Sequence, residues 1–312
     1  MVNLFKHIRL KLVLVIILFK RIFIKSSNST TEKNVDLIFF IFGSGRNGST
    51  LLAKLLNNHS KIFLPPEQYA LPYTILDWHL PPLNFSNHLY KKHLKRYSKN
   101  NLNWNLKKDD FSIIEQKIKH LNINKIRPRE IFKMVLNEYS SYFNKKDTII
   151  GDHSPLNTIF YKYIYDEFPR DKYIFLIRHP FDVVLSYSKI SENPASDELF
   201  ACWKWNNSIS AYDYLKNKKC NVILIKYEDL VSENTAVLKK IQTFLNVNPE
   251  DLTNEKLNNS DNILGTKSLI FHENLKKPVN TNSVNRWQKE LDLKVILKIK
   301  SHVSKNANRF NY

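Results

Sequence analysis

The chain contains four short runs in which almost every position is apolar. The first, 35–42, reads VDLIFFIF, and the others cover 148–150, 173–177 and 222–225. A short apolar run without polar alternation is typical of a strand that is buried on both faces, as in a parallel sheet. The pattern therefore predicts four buried strands.

Longer segments with mixed polar and apolar positions lie between and after these runs. We predict helices over 155–168, 181–190, 196–218, 230–245 and 284–303. Strands that alternate with helices along a chain are typical of an α/β fold. We therefore expect a three-layer, P-loop-like fold, in which helices flank a central parallel β-sheet.

Two segments interrupt this alternation and suggest the domain organisation. Residues 26–34 (SSNSTTEKN) are polar and linker-like, so we expect one folded domain over 35–312 after an N-terminal segment, 1–34. Residues 84–133 are rich in Lys, Asn and Leu and carry no chemical motif. They are interpreted as a helical insertion in that domain.

The N-terminal segment contains eight consecutive apolar residues, 12–19 (LVLVIILF), followed by Lys20 and Arg21. A membrane-spanning helix needs about 20 apolar residues, and the following KRIFIK lacks the small-residue cleavage site of a signal peptide. Residues 4–24 are therefore interpreted as a basic, apolar helix in peripheral contact with a membrane. We expect a cytoplasmic protein with this membrane association as an option. A type II Golgi membrane protein with a weak signal anchor is the alternative.

The composition adds a strong positive charge and little else. The 312 residues carry a formal net charge of +19, which indicates either attraction to anions or a compositional bias towards Lys, Asn and Ile. The two cysteines, Cys202 and Cys220, form neither a disulfide framework nor a metal-binding pattern. We expect no metal site.

The first candidate for chemistry directly follows the first predicted strand. Residues 43–50 read GSGRNGST and hold three of the five glycines of the chain. The frame is that of a P-loop, in which backbone N–H groups and a helix N-terminus wrap an anion. The lysine that normally follows the last glycine and reaches the β- and γ-phosphates is replaced by Ser49. This argues against an ordinary ATPase or kinase, and Arg46 can supply the positive charge.

A second candidate follows the strand 173–177. Residues 178–186 read RHPFDVVLS, so the strand end presents Arg178 and the helix after Pro180 presents Ser186 about two turns later. Ligands of open α/β sheets bind at the carboxyl ends of the strands. Arg178 and Ser186 can therefore grip one phosphate there.

Together these two motifs resemble the 5′-phosphosulfate loop and the 3′-phosphate site of sulfotransferases that use PAPS (3′-phosphoadenosine 5′-phosphosulfate). The segment YEDL at 227–230, the segment KPVN at 277–280 and the pair Arg286-Trp287 resemble further parts of that family. The resemblance covers roughly 35–303. It implies the donor PAPS, its product PAP and no metal.

The resemblance also implies a role for individual residues. The loop backbone, together with Arg46, would hold the 5′-phosphosulfate, and Arg178 with Ser186 would hold the 3′-phosphate. Tyr227 and Lys277 would contact the nucleotide. The full set of expected donor-binding residues is Gly45, Arg46, Asn47, Gly48, Ser49, Thr50, Arg178, Ser186, Tyr227, Lys277, Arg286 and Trp287.

Glu67, Arg46 and His153 are the expected catalytic residues. Glu67 follows Pro65-Pro66 and lies 21 positions after Arg46, which resembles the placement of the catalytic Glu in protein-tyrosine and several glycan sulfotransferases. Sulfonyl transfer needs a base for the acceptor proton and positive groups for the developing charge. His153 stands where the family usually has Lys, so it is interpreted as a hydrogen-bond donor, as the base itself, or as a packed histidine.

Several other chemically prominent side chains are interpreted as structural. Asp182 and the pair Glu228-Asp229 lie at predicted helix starts, where acidic groups cap the backbone and complement the helix dipole. Trp203 and Trp205 are expected in the core.

The acceptor is the least defined part of the prediction. A hydroxyl on a carbohydrate is the broader expectation, a peptide tyrosine is the alternative, and an anionic acceptor would suit the positive charge. Two other classes stay open: a phosphotransferase with a degenerate P-loop and a non-enzymatic, basic anion-binding module. No nucleic-acid partner is expected, and the sequence does not indicate an oligomeric state.

Overall fold

The computed structural model describes residues 38–78, 94–96, 108–119, 127–145, 148–190, 193–253 and 278–312. Within these residues five strands form a single sheet. The strands are β1 (Ile38–Phe42), β2 (Ile62–Phe63), β3 (Ile149–Asp152), β4 (Lys172–Ile177) and β5 (Asn221–Lys226).

The sheet is parallel throughout, and its strand order is β2-β3-β1-β4-β5. The order reverses at β1, which pairs with β3 on one side and with β4 on the other. Such a reversal opens a crevice at the carboxyl ends of the strands, where open α/β sheets bind their ligands. The topology thus places the residues that follow β1 at the centre of that crevice.

The apolar run that predicts β1 is buried because the strand is covered on both faces. Phe40 and Phe42 belong to the core on one face of the sheet, and Phe39 and Ile41 belong to the core on the other. The Phe40 ring packs against Phe168, with 5.0 Å between ring centroids. All five β1 residues are buried, which explains why the run shows no polar alternation.

Helices cover both faces of the sheet. Within the described residues they are α1 (Ser49–Asn57), α2 (Ala70–Trp78), α3 (Lys108–Lys119), α4 (Pro128–Tyr142), α5 (Pro155–Ile159), α6 (Tyr161–Glu167), α7 (Pro180–Ser188), α8 (Glu198–Asn217), α9 (Tyr227–Ser232), α10 (Asn234–Leu245), α11 (Trp287–Glu290) and α12 (Leu293–Arg309). The predicted α/β architecture with a central parallel sheet is confirmed.

Three predicted helices are broken in the structure. The helix predicted over 155–168 divides at Phe160, whose backbone leaves the helical region (φ −95°, ψ 20°) while its ring is buried. The helix predicted over 230–245 begins earlier, at Tyr227, and breaks at Glu233 (φ −128°, ψ 41°). The C-terminal helix breaks at Leu291, where the backbone is extended. In each case one or two non-helical residues separate two consecutive helices.

Other predictions were incomplete, wrong or fall outside the described residues. The two-residue strand β2 was not predicted, because IF within KIFLPPE is too short to form a pattern.

Trp205 is in the core, but the expectation for Trp203 was wrong: this residue is 37% exposed and its ring stacks on Phe200. Residues 1–34 and much of 84–133 lie outside the description. No helix among the described residues has both the length and the apolar character that a membrane crossing requires.

A pair of matched substitutions tests the packing of α1 on the sheet. Leu56 is fully buried in the core that α1 covers, whereas Leu297 on α12 is 63% exposed. We expect Leu56→Ala to lower the free energy of unfolding by about 2–5 kcal/mol and Leu297→Ala to change it by less than about 0.5 kcal/mol. Urea denaturation of the two variants measures the difference, and equal effects would contradict this packing.

Candidate functional site

The carboxyl ends of all five strands deliver polar residues to one edge of the sheet. β1 runs into Gly43, β3 into His153, β4 into Arg178 and β5 into Tyr227, while Glu67 follows β2 by four positions. Because parallel strands end at the same edge, residues that are far apart in the sequence meet there. This edge is the candidate functional site.

The loop between β1 and α1 has an unusual backbone. Gly45 (φ 75°), Arg46 (φ 55°) and Gly48 (φ 95°) are all in the left-handed region. Glycine is also required for space, since a Cβ on Gly45 would lie 2.3 Å from the Tyr187 hydroxyl and one on Gly48 2.4 Å from the Tyr227 ring. No side chain caps α1 at Gly48. The N–H groups at the start of α1 are therefore available to an anion.

Three hydrogen bonds from other elements anchor this loop. Thr158 Oγ1 accepts from the Gly43 N–H at 3.0 Å, and the Asn47 side-chain amide donates to the Leu176 carbonyl at 2.7 Å. The Tyr187 hydroxyl donates to the Ser44 carbonyl at 2.8 Å. The Asn47 side chain thus faces the sheet, so only its backbone N–H can serve a ligand. The Ser49 and Thr50 side chains are also buried.

Arg46, Arg178 and Ser186, expected at two separate phosphates, form one continuous cluster in the structure. The Arg46 Nε donates to Ser186 Oγ at 3.0 Å, and Arg178 Nη1 donates to the Arg46 carbonyl at 3.1 Å. The Arg178 guanidinium lies over the Tyr227 ring, 4.4 Å from its centroid. The ring of Tyr227 therefore packs against both the Arg178 guanidinium and Gly48 of the loop.

The cluster has donors that suit an anionic nucleotide. Arg178 Nε and Trp287 Nε1 are buried, and neither has an acceptor among the described residues. Trp287 is held nearby, because its backbone N–H donates to Asp182 Oδ1 at 3.0 Å and its ring stacks on His179 with centroids 5.1 Å apart. Buried donors without acceptors are costly unless a ligand satisfies them. These residues therefore fit a phosphorylated nucleotide such as PAPS.

The remaining expected donor-binding residues have different environments. The Arg286 guanidinium forms two hydrogen bonds with the Glu290 carboxylate, at 2.7 and 2.9 Å, and Lys189 also contacts Glu290. In this conformation Arg286 is neutralised by a carboxylate on its own helix α11. Lys277 lies outside the described residues.

Asp182 and Glu228 lie in the first turns of α7 and α9, as predicted, but their carboxylates bond to other segments and do not cap these helices. Asp182 accepts hydrogen bonds from the backbone of Asn285 and Trp287, and so fastens the 285–287 segment to α7. Glu228 accepts from the His179 N–H at 2.9 Å and from the Tyr312 hydroxyl at 2.7 Å. Both carboxylates therefore stabilise the segments on either side of the Arg178 cluster.

Glu67 is held in place from both ends of its loop. On one side the Asn57 side chain forms two hydrogen bonds with the backbone of Leu64, both 2.8 Å long. On the other side the Gln68 backbone N–H donates to Ser154 Oγ at 2.7 Å, and its side chain donates to Asp152 at 2.5 Å. With Pro65-Pro66 between these anchors, the Glu67 loop has little conformational freedom.

Burial raises the pKa of Glu67 to about 7. The Tyr69 hydroxyl, which donates to Glu67 Oε2 at 3.3 Å, opposes this rise, as do the positive charges of Arg46 and Lys204. The negative charge of the buried Asp152 carboxylate raises the pKa of Glu67 further. A carboxylate that titrates near neutrality is suited to proton transfer at physiological pH.

His153 is 1% exposed and lies between the buried Asp152 and Ser154. Its position at the end of β3 is next to the Glu67 loop, since Asp152 and Ser154 both hold Gln68. The three interpretations of His153 from the sequence stay open as predictions.

Four residues of the site were not identified from the sequence. Asp152 directly precedes His153, and Tyr69 lies two positions after Glu67. Tyr187 follows Ser186 and had no motif of its own. Lys204 carried no signal at all, because it lies between Trp203 and Trp205 in a helix far along the chain. Only the packing of α8 on α7 brings it to the loop, where its ammonium donates to the Tyr187 hydroxyl at 2.6 Å.

The described part of the chain contains no group of three or more His, Cys, Asp or Glu side chains arranged to hold a metal ion. The two cysteines are both free thiols. Burial raises the pKa of Cys202 to about 12 and that of Cys220 to about 11, so neither is a thiolate at neutral pH.

Comparison with known proteins gives a consistent result. The sequence model of one protein family, described as the sulfotransferase family, matches residues 39–251. A solved sulfotransferase domain from the curacin biosynthetic pathway is 24% identical, with a TM-score of 0.56, and the match covers 87% of this chain and 99% of that one. A sulfotransferase domain from the Synechococcus PCC 7002 olefin synthase is 21% identical, with a TM-score of 0.55 and coverage of 92% and 99%. No curated protein matches the chain.

The raised pKa of Glu67 predicts a pH-dependent stability difference. Folded Glu67 stays protonated up to about pH 7, whereas the carboxyl of the unfolded chain ionises above about 4.5, so rising pH favours the unfolded state between these values. Glutamine does not titrate. We therefore expect Glu67→Gln to gain stability relative to the wild type as the pH rises from 5 to 8, measured by urea denaturation. The exposed Glu233→Gln is the control, and a pH-independent gap for Glu67→Gln would contradict the prediction.

Proposed function

The chain belongs to the sulfotransferase family, and from this we propose that it transfers the sulfonate group of PAPS to an acceptor hydroxyl, with Glu67 as the general base. The observation that carries the proposal is the meeting of two groups at the carboxyl edge of the sheet. One is the glycine loop with Arg46, which suits an anion, and the other is a fixed carboxylate whose pKa is about 7.

The donor would be held by the residues that surround the loop. The N–H groups of 45–50 and the Arg46 guanidinium suit the 5′-phosphosulfate, and the unsatisfied Arg178 Nε suits the 3′-phosphate. Trp287, with its unsatisfied indole N–H, is positioned to contact the nucleotide. PAPS supplies an activated sulfonate on a phosphate leaving group.

Different residues then accept the proton and stabilise the charge during an in-line transfer. Glu67 takes the proton of the acceptor hydroxyl as the acceptor oxygen forms a bond to sulfur. The bond between sulfur and the phosphate oxygen breaks, and its electron pair leaves with PAP. Arg46 and the loop N–H groups stabilise the negative charge on the sulfonate and the departing phosphate. On the side of the sheet, buried residues form the floor of the site and exclude water from it.

We propose a carbohydrate hydroxyl as the acceptor, with a peptide tyrosine as the alternative. The site supports either, because a base with a pKa near 7 can assist both an alcohol and a phenol. The rival phosphotransferase is disfavoured, since Arg178 follows β4 and Ser49 stands where the lysine that reaches the β- and γ-phosphates would be. A basic binding module has no need for the left-handed loop.

Nucleotide titration by calorimetry tests the donor site. We expect PAP to bind with a dissociation constant in the micromolar range and ATP with Mg²⁺ to bind much more weakly. Arg178→Ala should weaken PAP binding 10- to 100-fold, because it removes a buried, charge-assisted donor. Arg170→Ala, which changes an exposed arginine at the opposite end of β4, is the matched control and should bind PAP like the wild type.

Each alternative gives a different pattern in this titration. Tight binding of ATP with Mg²⁺ in place of PAP would indicate the phosphotransferase. Binding of neither nucleotide by a folded protein would leave the anion-binding module. Equal losses in Arg178→Ala and Arg170→Ala would mean that PAP binds through the net charge of the protein and not at this site.

The role of Glu67 predicts a specific kinetic defect. Glu67→Gln should lower kcat by about 10²- to 10⁴-fold, since it removes the general base, while PAP affinity should change less than about threefold. In the wild type kcat/KM should rise with pH through about 7, because the base must be deprotonated. Initial rates with a panel of glycans and tyrosine peptides measure both effects and identify the acceptor class. A wild-type rate in Glu67→Gln would exclude Glu67 as the base.

A further inference from the structure

Lys204 is a cation of helix α8 that lies beside the phosphate loop, although the two are far apart in the sequence. Its ammonium donates to the Tyr187 hydroxyl at 2.6 Å and lies 4.7 Å from the centroid of the Tyr187 ring. The same hydroxyl donates to the Ser44 carbonyl and occupies the space where a Gly45 side chain would be. One tyrosine hydroxyl therefore links the ammonium to the backbone of the phosphate loop.

Most of the hydrogen-bonding capacity of this ammonium is unused in the described structure. A lysine ammonium has three N–H donors, and Tyr187 accepts one of them. Among the described residues no carboxylate pairs with Lys204, although several other lysines of the chain form such pairs, including Lys117, Lys189 and Lys298. The side chain is only partly exposed, so its two remaining donors have restricted access to water.

Lys204 also lies near the proposed base. Its positive charge is one of the influences that lower the pKa of Glu67, and Arg46 is another. Lys204 and Arg46 thus act on the charge of Glu67 from different elements, α8 and the β1–α1 connection. The Tyr187 hydroxyl that Lys204 contacts lies against Gly45, so a sulfonate held by the loop would lie near the Lys204 ammonium.

We propose that Lys204 is a catalytic residue, the second cation that contacts the transferring sulfonate opposite Arg46, and that Tyr187 is its positioning residue. This inference rests on the proposed function. During transfer the acceptor oxygen bonds to sulfur, the sulfur–oxygen bond to the phosphate breaks and the acceptor proton goes to Glu67. Lys204 stays protonated throughout and donates hydrogen bonds to the sulfonate oxygens, whose negative charge grows in the transition state.

The proposal distinguishes binding of the nucleotide from transfer of its sulfonate. PAP lacks the sulfonate, so Lys204→Met should change PAP affinity less than about threefold. Loss of one stabilising donor typically lowers kcat by about 10²- to 10³-fold, and we expect a loss of this size. Lys204→Arg keeps the positive charge and should retain within about tenfold of the wild-type kcat. Tyr187→Phe should lie between the two lysine variants.

The experiment needs no knowledge of the acceptor. Transfer of the sulfonate from PAPS to water is followed as sulfate release, and the dissociation constants of PAP and PAPS are measured by calorimetry for each variant. Lys216→Met, which changes an exposed lysine on the same helix, is the control and should match the wild type. If transfer to water is too slow to follow, a Lys204→Met variant that weakens PAPS at least fivefold more than PAP supports the proposal, and equal weakening overturns it.

The measurements distinguish a failure of the proposed function from a failure of the role of Lys204. A wild-type protein that binds neither PAP nor PAPS overturns the proposed function itself. A wild-type protein that binds PAP and releases sulfate, with Lys204→Met equally active, overturns only the role of Lys204. A Lys204→Met variant that loses PAP affinity in proportion to its activity would show that Lys204 supports the shape of the loop and does not act on the sulfonate.

Discussion

The left-handed turn at Arg46 is the constraint on which the site depends. A residue with a Cβ loses roughly 1–2 kcal/mol in this conformation, and between two left-handed glycines Arg46 adopts it at φ 55°. The structure holds it there through its neighbours: Arg178 donates to its carbonyl and Ser186 accepts from its side chain. The turn belongs to the loop whose N–H groups, at the start of α1, have no side-chain cap. In the proposed mechanism, anion binding and charge stabilisation both involve this strained residue.

Arg46 and Tyr187 also link the proposed donor site to Glu67, the proposed base, and to Lys204. Arg46 affects both the loop and the pKa of Glu67, and Tyr187 connects the loop to Lys204. Behind Glu67, the buried Asp152 carboxylate receives hydrogen bonds from Gln68, Ser154 and Asn157. These bonds fasten the loop after β2 to the end of β3. Glu67, the proposed base, is therefore held beside the carboxyl end of β3.

The fold was predictable because buried parallel strands leave a direct trace in the sequence. Phe39 to Phe42 must be apolar on both faces, and the run ends where the glycines begin. The loop and Arg178 were predictable because each belongs to a motif that follows a predicted strand. Glu67 was singled out only because its placement resembles that of a family glutamate, since β2 itself was not predicted. Tyr187 and Lys204 were not, since their position depends on how α7 and α8 pack together. The breaks at Phe160 and Glu233 were also invisible, because single non-helical residues do not disturb the apolar pattern.

A structure of the protein with PAP bound is the most direct test of the central claim that the loop after β1 is the donor site. The account predicts the 5′-phosphate within hydrogen-bond distance of the backbone N–H groups of 45–50, and the 3′-phosphate on Arg178. Glu67 and Lys204 should then face the same side of the 5′-phosphate, across the space for a sulfonate. PAP bound elsewhere on the basic surface, with the loop and Arg178 unchanged, would contradict the account.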